Sequence, residues 1–391
     1  MPFCTELCLY CGCTTKAVRR RPPVVAYADH LRREIELLGA AIGGRPVAHL
    51  HWGGGTPSIL GAEIIVDLVD RLGRTFDLSN MTEHAIELDP RRVTSRLAAA
   101  LGRIGITRAS FGAQDFSPHV QQAIGRVQPF EQVEAAVGLV RAAGVEAINI
   151  DLMYGLPHQT VGDVIRSAEL AASLAPSRLA QFGYAHVPWF KPHQKLIDTK
   201  ALPGAAERMA QMHAAAETLE ECGYVRIGLD HFALPQDELS RAARTRRLRR
   251  NFQGYTTDAA DALLGIGASS IGRLPQGYVQ NAPDVGSYAR AIAAGQFAVA
   301  KGIAFSPDDV RRANIIERLM CDFAVDLDAE AGPADFAAEL DALDAFAAAG
   351  IVRRNGRHVV VTEKGQPFVR LVAAAFDAYL PQNQKRHTVA V

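Results

Sequence analysis

No apolar run in the 391 residues reaches the ~20 that a membrane-crossing helix needs. A charged start followed by an apolar stretch is also missing, so no secretory signal is read and the cytoplasm is the expected location. Charge of one sign is not in excess, with 42 Lys and Arg against 42 Asp and Glu. Nucleic-acid binders are commonly basic overall, so that class of partner is disfavoured. Cysteine is scarce, six in all, which rules out a disulfide framework. There is no low-complexity segment and no internal repeat. Nearly half the residues are hydrophobic, enough for a large core, and the length suits two or three domains on a prior of roughly 100–200 residues each. A monomer is expected.

What is present is an alternation. Residues 26–38, 61–72, 93–101, 130–143 and 160–174 read as helices. The short apolar runs 47–52, 84–88, 107–111, 147–153 and 179–187 lie between them. Strands alternating with helices argue βα units and a parallel sheet. Each run ends in polar or Gly/Pro chemistry: GGGTP, ELDP, GAQDF, DLMYGLP, YAHVP. Such folds place their sites at the C-terminal ends of strands. A helix at 204–222 follows, then unusual strings such as RNFQGYTT and GIGASSIG. From about Ser306 the pattern becomes helices at 310–323 and 333–349, a strand pair at 352–353 and 358–361, and a last helix, which is winged-helix-like. The expected division is 1–200, 201–305 and 306–391.

Four of the six cysteines, Cys4, Cys8, Cys11 and Cys13, fall within ten residues. Thiolates spaced C-x3-C-x2-C suit three irons of a [4Fe–4S] cubane and leave the fourth iron for a small molecule, whereas ferredoxin clusters use four cysteines. Structural zinc is the competing reading. It usually takes four Cys or His ligands, often as separated pairs, and here no second CxxC exists and His51 and His84 are distant in sequence. Cys13 is one residue from Cys11 and reads as structural rather than as a ligand. Cys222 and Cys321 read as ordinary buried thiols. Gly53–Gly55 would let backbone approach a ligand, although a tight turn alone accounts for three glycines. At later strand ends stand Glu87, Gln114, Arg126 and Asp151. Each alone is as readily a cap or an ion-pair partner.

The C-x3-C-x-aromatic-C spacing resembles the signature of radical S-adenosylmethionine (SAM) enzymes. MPFCTELCLYCGC, HWGGGTPS, SFGAQDF, DLMYGLPHQT, YAHVP, IGLDHFALP, RNFQGYTT, SSIG and YVQN are together similar, in order and spacing, to oxygen-independent coproporphyrinogen III oxidases. The likeness runs from residue 1 to the last helix. It implies an α/β fold with an incomplete, laterally open (β/α) barrel and a mostly helical, winged-helix-like C-terminal domain. It implies a [4Fe–4S] cluster on Cys4, Cys8 and Cys11 and two SAM molecules. By motif, one SAM would meet Gly54, Glu87 and Ile271. The other would meet Tyr10, Gly55, Thr56, Gln114, Arg126, Asp151 and Ala185, with Gln253 near the pocket. The implied reaction is oxidative decarboxylation of two propionates of coproporphyrinogen III to vinyl groups, giving protoporphyrinogen IX, with electrons from a reduced flavodoxin- or ferredoxin-type donor. Arg244, Arg246, Arg247, Arg249 and Arg250 could meet the substrate carboxylates, or form a solvated helix face.

The family pattern also carries a barrel strand before the cysteines, where only Met1-Pro2-Phe3 stand here. The expectation is a longer natural protein, a cluster loop prone to fray, and residues 47–52 as an exposed edge. An inactive shortened form is then one alternative. A heme chaperone on the same scaffold is another, disfavoured by the CGC and RNFQGYTT strings.

Overall fold

The computed structural model describes residues 1–332 and 334–380. Pro333 and the last eleven positions of the expected 306–391 domain lie outside the described residues.

The centre is a seven-stranded sheet. Five strands run parallel in chain order: His49–Trp52, Glu83–Leu88, Arg108–Gln114, Ala147–Tyr154 and Arg178–Gly183. His231–Ala233 then pairs antiparallel to the fifth, and Val225–Ile227 closes the order. Among the described residues the first and last strands do not pair, so the barrel stays open. His49–Trp52 is an edge strand, and its four residues are half-buried.

The helices cover the outer face because their apolar positions recur at helical spacing. Ala62–Thr75 buries Ile64, Ile65, Leu68 and Leu72. The Ala147–Tyr154 strand alternates between fully and partly buried residues along its length. Its partly buried positions include two polar residues, Asn149 and Asp151.

The first helix spans Arg21–Ile42, several residues beyond the expected 26–38. Pro22 and Pro23 fall in its first turn, where a missing N–H costs nothing. The fifth strand ends at Gly183, short of the expected 187. There the backbone turns away, with Tyr184 N–H bonding the Tyr154 carbonyl at 2.8 Å. The helix expected at 333–349 is two short helices, Ala337–Ala342 and Asp344–Ala348. A second core of residues between Ile315 and Phe376 packs against a three-stranded sheet of Ala324–Asp326, His358–Val361 and Val352–Asn355.

A buried polar knot ties the chain's distant parts. Glu34 of the first helix accepts from Gly267 N–H at 2.7 Å, Asn281 Nδ2 at 2.7 Å and the Tyr288 hydroxyl at 2.6 Å. Tyr27 of the same helix accepts from Ala268 N–H and packs edge-on against Phe3. This holds the small sheet Ile271–Leu274, Gly277–Asn281 and Val299–Ala304 against the barrel.

Candidate active site

The cysteine loop lies across the C-terminal ends of the parallel strands. It is anchored along its length. Gly55 N–H donates to the Met1 carbonyl at 2.6 Å, Thr56 N–H to Phe3 at 2.8 Å, Val18 N–H to Cys4 at 2.8 Å and Leu9 N–H to Ile124 at 3.0 Å. Phe3–Cys4 pairs parallel with Lys16–Ala17. The segment after the fifth strand adds three more ties. Gln194 Nε2 donates to the Tyr10 carbonyl at 2.8 Å, the His193 ring lies 2.7 Å from the Cys11 carbonyl, and Lys191 Nζ donates to Cys13 at 2.9 Å. These contacts oppose the fraying expected of the loop.

The three expected ligand thiols sit in different surroundings. Cys4 Sγ accepts from the Thr15 and Thr56 hydroxyls, each at 3.3 Å. Burial pushes its pKa up, with the two hydroxyls opposing. Cys8 is buried, with Arg126 Nη1 at 3.5 Å from its sulfur. Cys11 is held below the usual thiol range by neighbouring Cys13, against burial and with help from His193 and Lys191. Cys13 thus supports Cys11 from an exposed position. Among the described residues no three His, Cys, Asp or Glu side chains gather tightly enough for a single ion. Zinc needs its donors at about 2.0–2.3 Å around one point, whereas a cubane offers each thiolate its own iron. Three soft thiol donors on one anchored loop, Cys4, Cys8 and Cys11, have the chemistry an iron–sulfur cluster takes.

The glycine loop is a cradle. A Cβ on Gly53 would meet Glu87 Oε1 at 2.8 Å, and one on Gly55 would meet the Phe3 carbonyl at 2.5 Å. Gly54 has φ +106°, in the region that side chains disfavour. Its N–H donates to Glu87 Oε2 at 3.1 Å, and His51 Nε2 lies 3.2 Å from Glu87 Oε1. His51, remote from the cysteines in sequence, is therefore part of the site.

Deeper in, Asp151 accepts from Asn149 Nδ2 at 2.8 Å and Ser110 Oγ at 3.1 Å. Its pKa is pushed up to about 6, chiefly by burial and then by Glu87, against those two hydrogen bonds. Its side chain is half-buried. Arg126 is buried and donates to the Gly112 carbonyl at 2.8 Å, with Asp89 at 3.5 Å. Its Nε has no partner, so a buried donor is held without an acceptor of the chain's own. Asp89 is held below the usual carboxylate range, where Arg91 and Arg126 outweigh burial. Gln114 ends its strand at φ 68°, beside a register shift. Side chains enter that region at a cost, and such strain gathers at functional sites.

Cys4, Cys8, Cys11, Tyr10, Gly54, Gly55, Thr56, Glu87, Gln114, Arg126 and Asp151 are thus assembled at one end of the sheet. Ala185 is joined to Tyr10 through Gln194, which also donates to its carbonyl at 3.2 Å. Ile271 opens the first strand of the small three-stranded sheet, paired with Gln280. Gln253 occupies the exposed turn of the Arg249–Asn251 and Gly254–Thr256 hairpin, and a Cβ on Gly254 would meet His231 at 3.1 Å. The arginine run divides, with Arg250 over the Tyr255 ring at 5.3 Å and three others in a groove. Arg246, Arg247 and Arg249 line a groove with Arg241 and Arg318, and no residue of the cysteine loop lines it. Cys321 is buried as expected. Cys222 is not: it caps the exposed end of the Ala205–Glu221 helix.

Residues 1–171 match the radical SAM superfamily model and residues 305–368 the HemN C-terminal domain model. The oxygen-independent coproporphyrinogen III oxidase of Bradyrhizobium diazoefficiens is 47% identical, covering 100% of this chain and 88% of that protein. The chain belongs to the oxygen-independent coproporphyrinogen III oxidase family. Within that family, the Paracoccus denitrificans oxidase is 41% identical over 97% of this chain and 85% of its own length. The solved structure of coproporphyrinogen III oxidase from Escherichia coli, described as a radical SAM enzyme, superposes with a TM-score of 0.92 at 36% identity. It covers 97% of this chain and 89% of that one. The chain is accordingly a radical SAM enzyme, a class built on a [4Fe–4S] cluster and SAM.

Proposed function

We propose that this enzyme converts two propionates of coproporphyrinogen III to vinyl groups, giving protoporphyrinogen IX, with Cys4, Cys8 and Cys11 holding the cluster and two SAM molecules bound at the strand ends. The observation that carries the reading is the convergence of three thiols, the glycine cradle, Glu87, Arg126 and Asp151 on one sheet end. When bound, the reduced cluster and SAM would supply the 5′-deoxyadenosyl radical needed to take a hydrogen atom from a propionate β-carbon, with CO2 released and the remaining electron passing to an external one-electron acceptor.

The chain's own residues position these groups. SAM carries an ammonium, a carboxylate and ribose hydroxyls. Gly54 and Glu87 offer a close backbone and a carboxylate to one molecule. For the other, Gly55, Thr56, Gln114, Arg126, Asp151, Tyr10 and Ala185 form the contacts. The unpaired Nε of Arg126 suits a carboxylate, since guanidinium–carboxylate bonds are among the stronger ones. Asp151 suits ribose hydroxyls. Ile271 would reach SAM only from the small sheet, as a backbone or apolar contact. Beside Ala185 lies a cavity of ≈ 200 Å³ lined by Arg208, Arg226 and Arg370. These guanidiniums, rather than Arg246, Arg247 and Arg249 in their separate groove, are the partners proposed for substrate propionates.

No helix among the described residues is long and apolar enough to cross a membrane. All six cysteines are free, which suits a reducing compartment. We place the enzyme in the cytoplasm as a monomer fed by a flavodoxin- or ferredoxin-type carrier. The test is anaerobic incubation of reconstituted protein with SAM, reductant and coproporphyrinogen III. Protoporphyrinogen IX is the expected product. Stoichiometric heme binding with no product would favour the chaperone reading.

A further inference from the structure

The stretch from Pro188 to Lys200 joins the fifth strand to the next helix, and it combines two properties. It is bonded to the cysteine loop through Lys191, His193 and Gln194, as described above. It also turns large apolar side chains outward: Trp189 is 57% exposed, Phe190 70% and Leu196 71%. Scattered exposed apolar residues need no explanation, but three large ones within eight positions form a patch, and such patches mark interaction sites. Aromatic residues are also enriched at protein interfaces.

The charge around the patch has one sign. Lys195 and Lys200 are exposed. Lys191 lies 4.9 Å from the Phe190 ring centroid. Against these three lysines the stretch holds one carboxylate, Asp198, already used to cap Lys200 N–H at 2.9 Å. The chain as a whole carries no net charge, so this local excess is a feature of the patch. Gly12, Cys13 and Thr14 are exposed where Lys191 grips the loop. Cys13 is two residues from Cys11 in the loop. The stretch that carries the patch is therefore bonded to the cysteine loop where that loop reaches the surface.

We propose that Trp189, Phe190 and Leu196, ringed by Lys195 and Lys200, form the docking surface for an acidic one-electron carrier protein that reduces the cluster. The proposal rests on the cluster assignment above. The carrier gives up one electron and the cluster takes one, with no atom transferred. Electron transfer weakens steeply with distance, so a carrier must dock where the cysteine loop is thinly covered. The apolar centre would exclude water, and the lysines would steer an acidic partner, an effect that salt screens.

The test uses the full chain with reconstituted cluster and a flavodoxin as probe. Binding is measured by calorimetry at low and high salt. SAM cleavage is driven in parallel by reduced flavodoxin and by dithionite, which needs no docking. The variants are Lys195→Glu/Lys200→Glu and Trp189→Ser/Leu196→Ser, with Lys301→Glu on the small sheet as control. Each double variant should bind flavodoxin about tenfold more weakly and lose flavodoxin-driven cleavage in step. Dithionite-driven cleavage and the iron–sulfur absorbance should stay at the wild-type level. Wild-type binding should fall with salt. Unchanged flavodoxin binding in both double variants would overturn the proposal, as would a wild-type chain that dithionite activates but flavodoxin does not bind. Equal loss with both reductants would overturn it too, and would make the patch part of the substrate site. A fully loaded cluster that cleaves no SAM even with dithionite would instead defeat the assignment beneath it, while calorimetry would still decide the surface.

Discussion

Asp151→Asn should make the cofactor-free protein more stable and the enzyme worse. The carboxyl has a folded pKa of about 6 against 3.8 for the free group. One pKa unit corresponds to about 1.4 kcal/mol, so the ionised form costs the fold up to about 3 kcal/mol. The sign follows from linkage: a raised carboxyl pKa leaves stability intact below pH 4, and the loss grows as pH rises to about 6. Asparagine keeps the shape and can still bond Ser110 and Asn149, but it carries no charge. The stability gap between variant and wild type should therefore be about 2–3 kcal/mol at pH 7.5 and narrow towards pH 4. The assay is urea unfolding of the cofactor-free chain across that range. SAM affinity should fall about tenfold to a hundredfold, because a charge-assisted hydrogen bond contributes about 1.5–3 kcal/mol. A variant less stable than wild type at pH 7.5, or one that binds SAM equally well, would refute the reasoning.

Alanine at Cys4, Cys8 or Cys11 should each abolish the iron–sulfur absorbance near ~400 nm after anaerobic reconstitution, since each thiolate holds its own iron. Cys13→Ala should retain it, and iron analysis of all four decides the assignment. Gly55→Ala should lose SAM binding measured by equilibrium dialysis, because the new Cβ would sit 2.5 Å from the Phe3 carbonyl. Arg126→Lys should keep the buried charge yet turn over SAM far more slowly, since it loses the guanidinium fork; single-turnover kinetics would show it. Glu34→Ala strands three buried donors and should destabilise the fold by about 1–3 kcal/mol for each donor left without a partner, read by thermal unfolding.

Contiguous features were legible in the sequence. The cysteine spacing and the glycine cradle each lie within ten residues, and the strand-end residues Glu87, Gln114 and Asp151 follow apolar runs whose period marks their position. Contacts made across the chain were not. Lys191, His193 and Gln194 grip the cysteine loop from about 180 positions away. The string YAHVPWFKPHQ announces a loop after a strand but not what that loop touches. His51 was set aside for its distance from the cysteines, although parallel pairing puts it one strand from Glu87. Cys222 was expected inside because cysteine is usually buried, yet a helix C-terminus left it in solvent. Arg246, Arg247 and Arg249 of the contiguous run line a groove of their own, and the arginines of the cavity beside Ala185 are scattered at 208, 226 and 370.

The most direct test of the account is isotope transfer. Coproporphyrinogen III deuterated at the propionate β-carbons would be incubated anaerobically with the reconstituted enzyme, SAM and dithionite. The account predicts deuterium in the 5′-deoxyadenosine formed, together with a product carrying two vinyl groups. Cleavage of SAM to unlabelled 5′-deoxyadenosine, with the substrate recovered intact from a fully cluster-loaded enzyme, would contradict it.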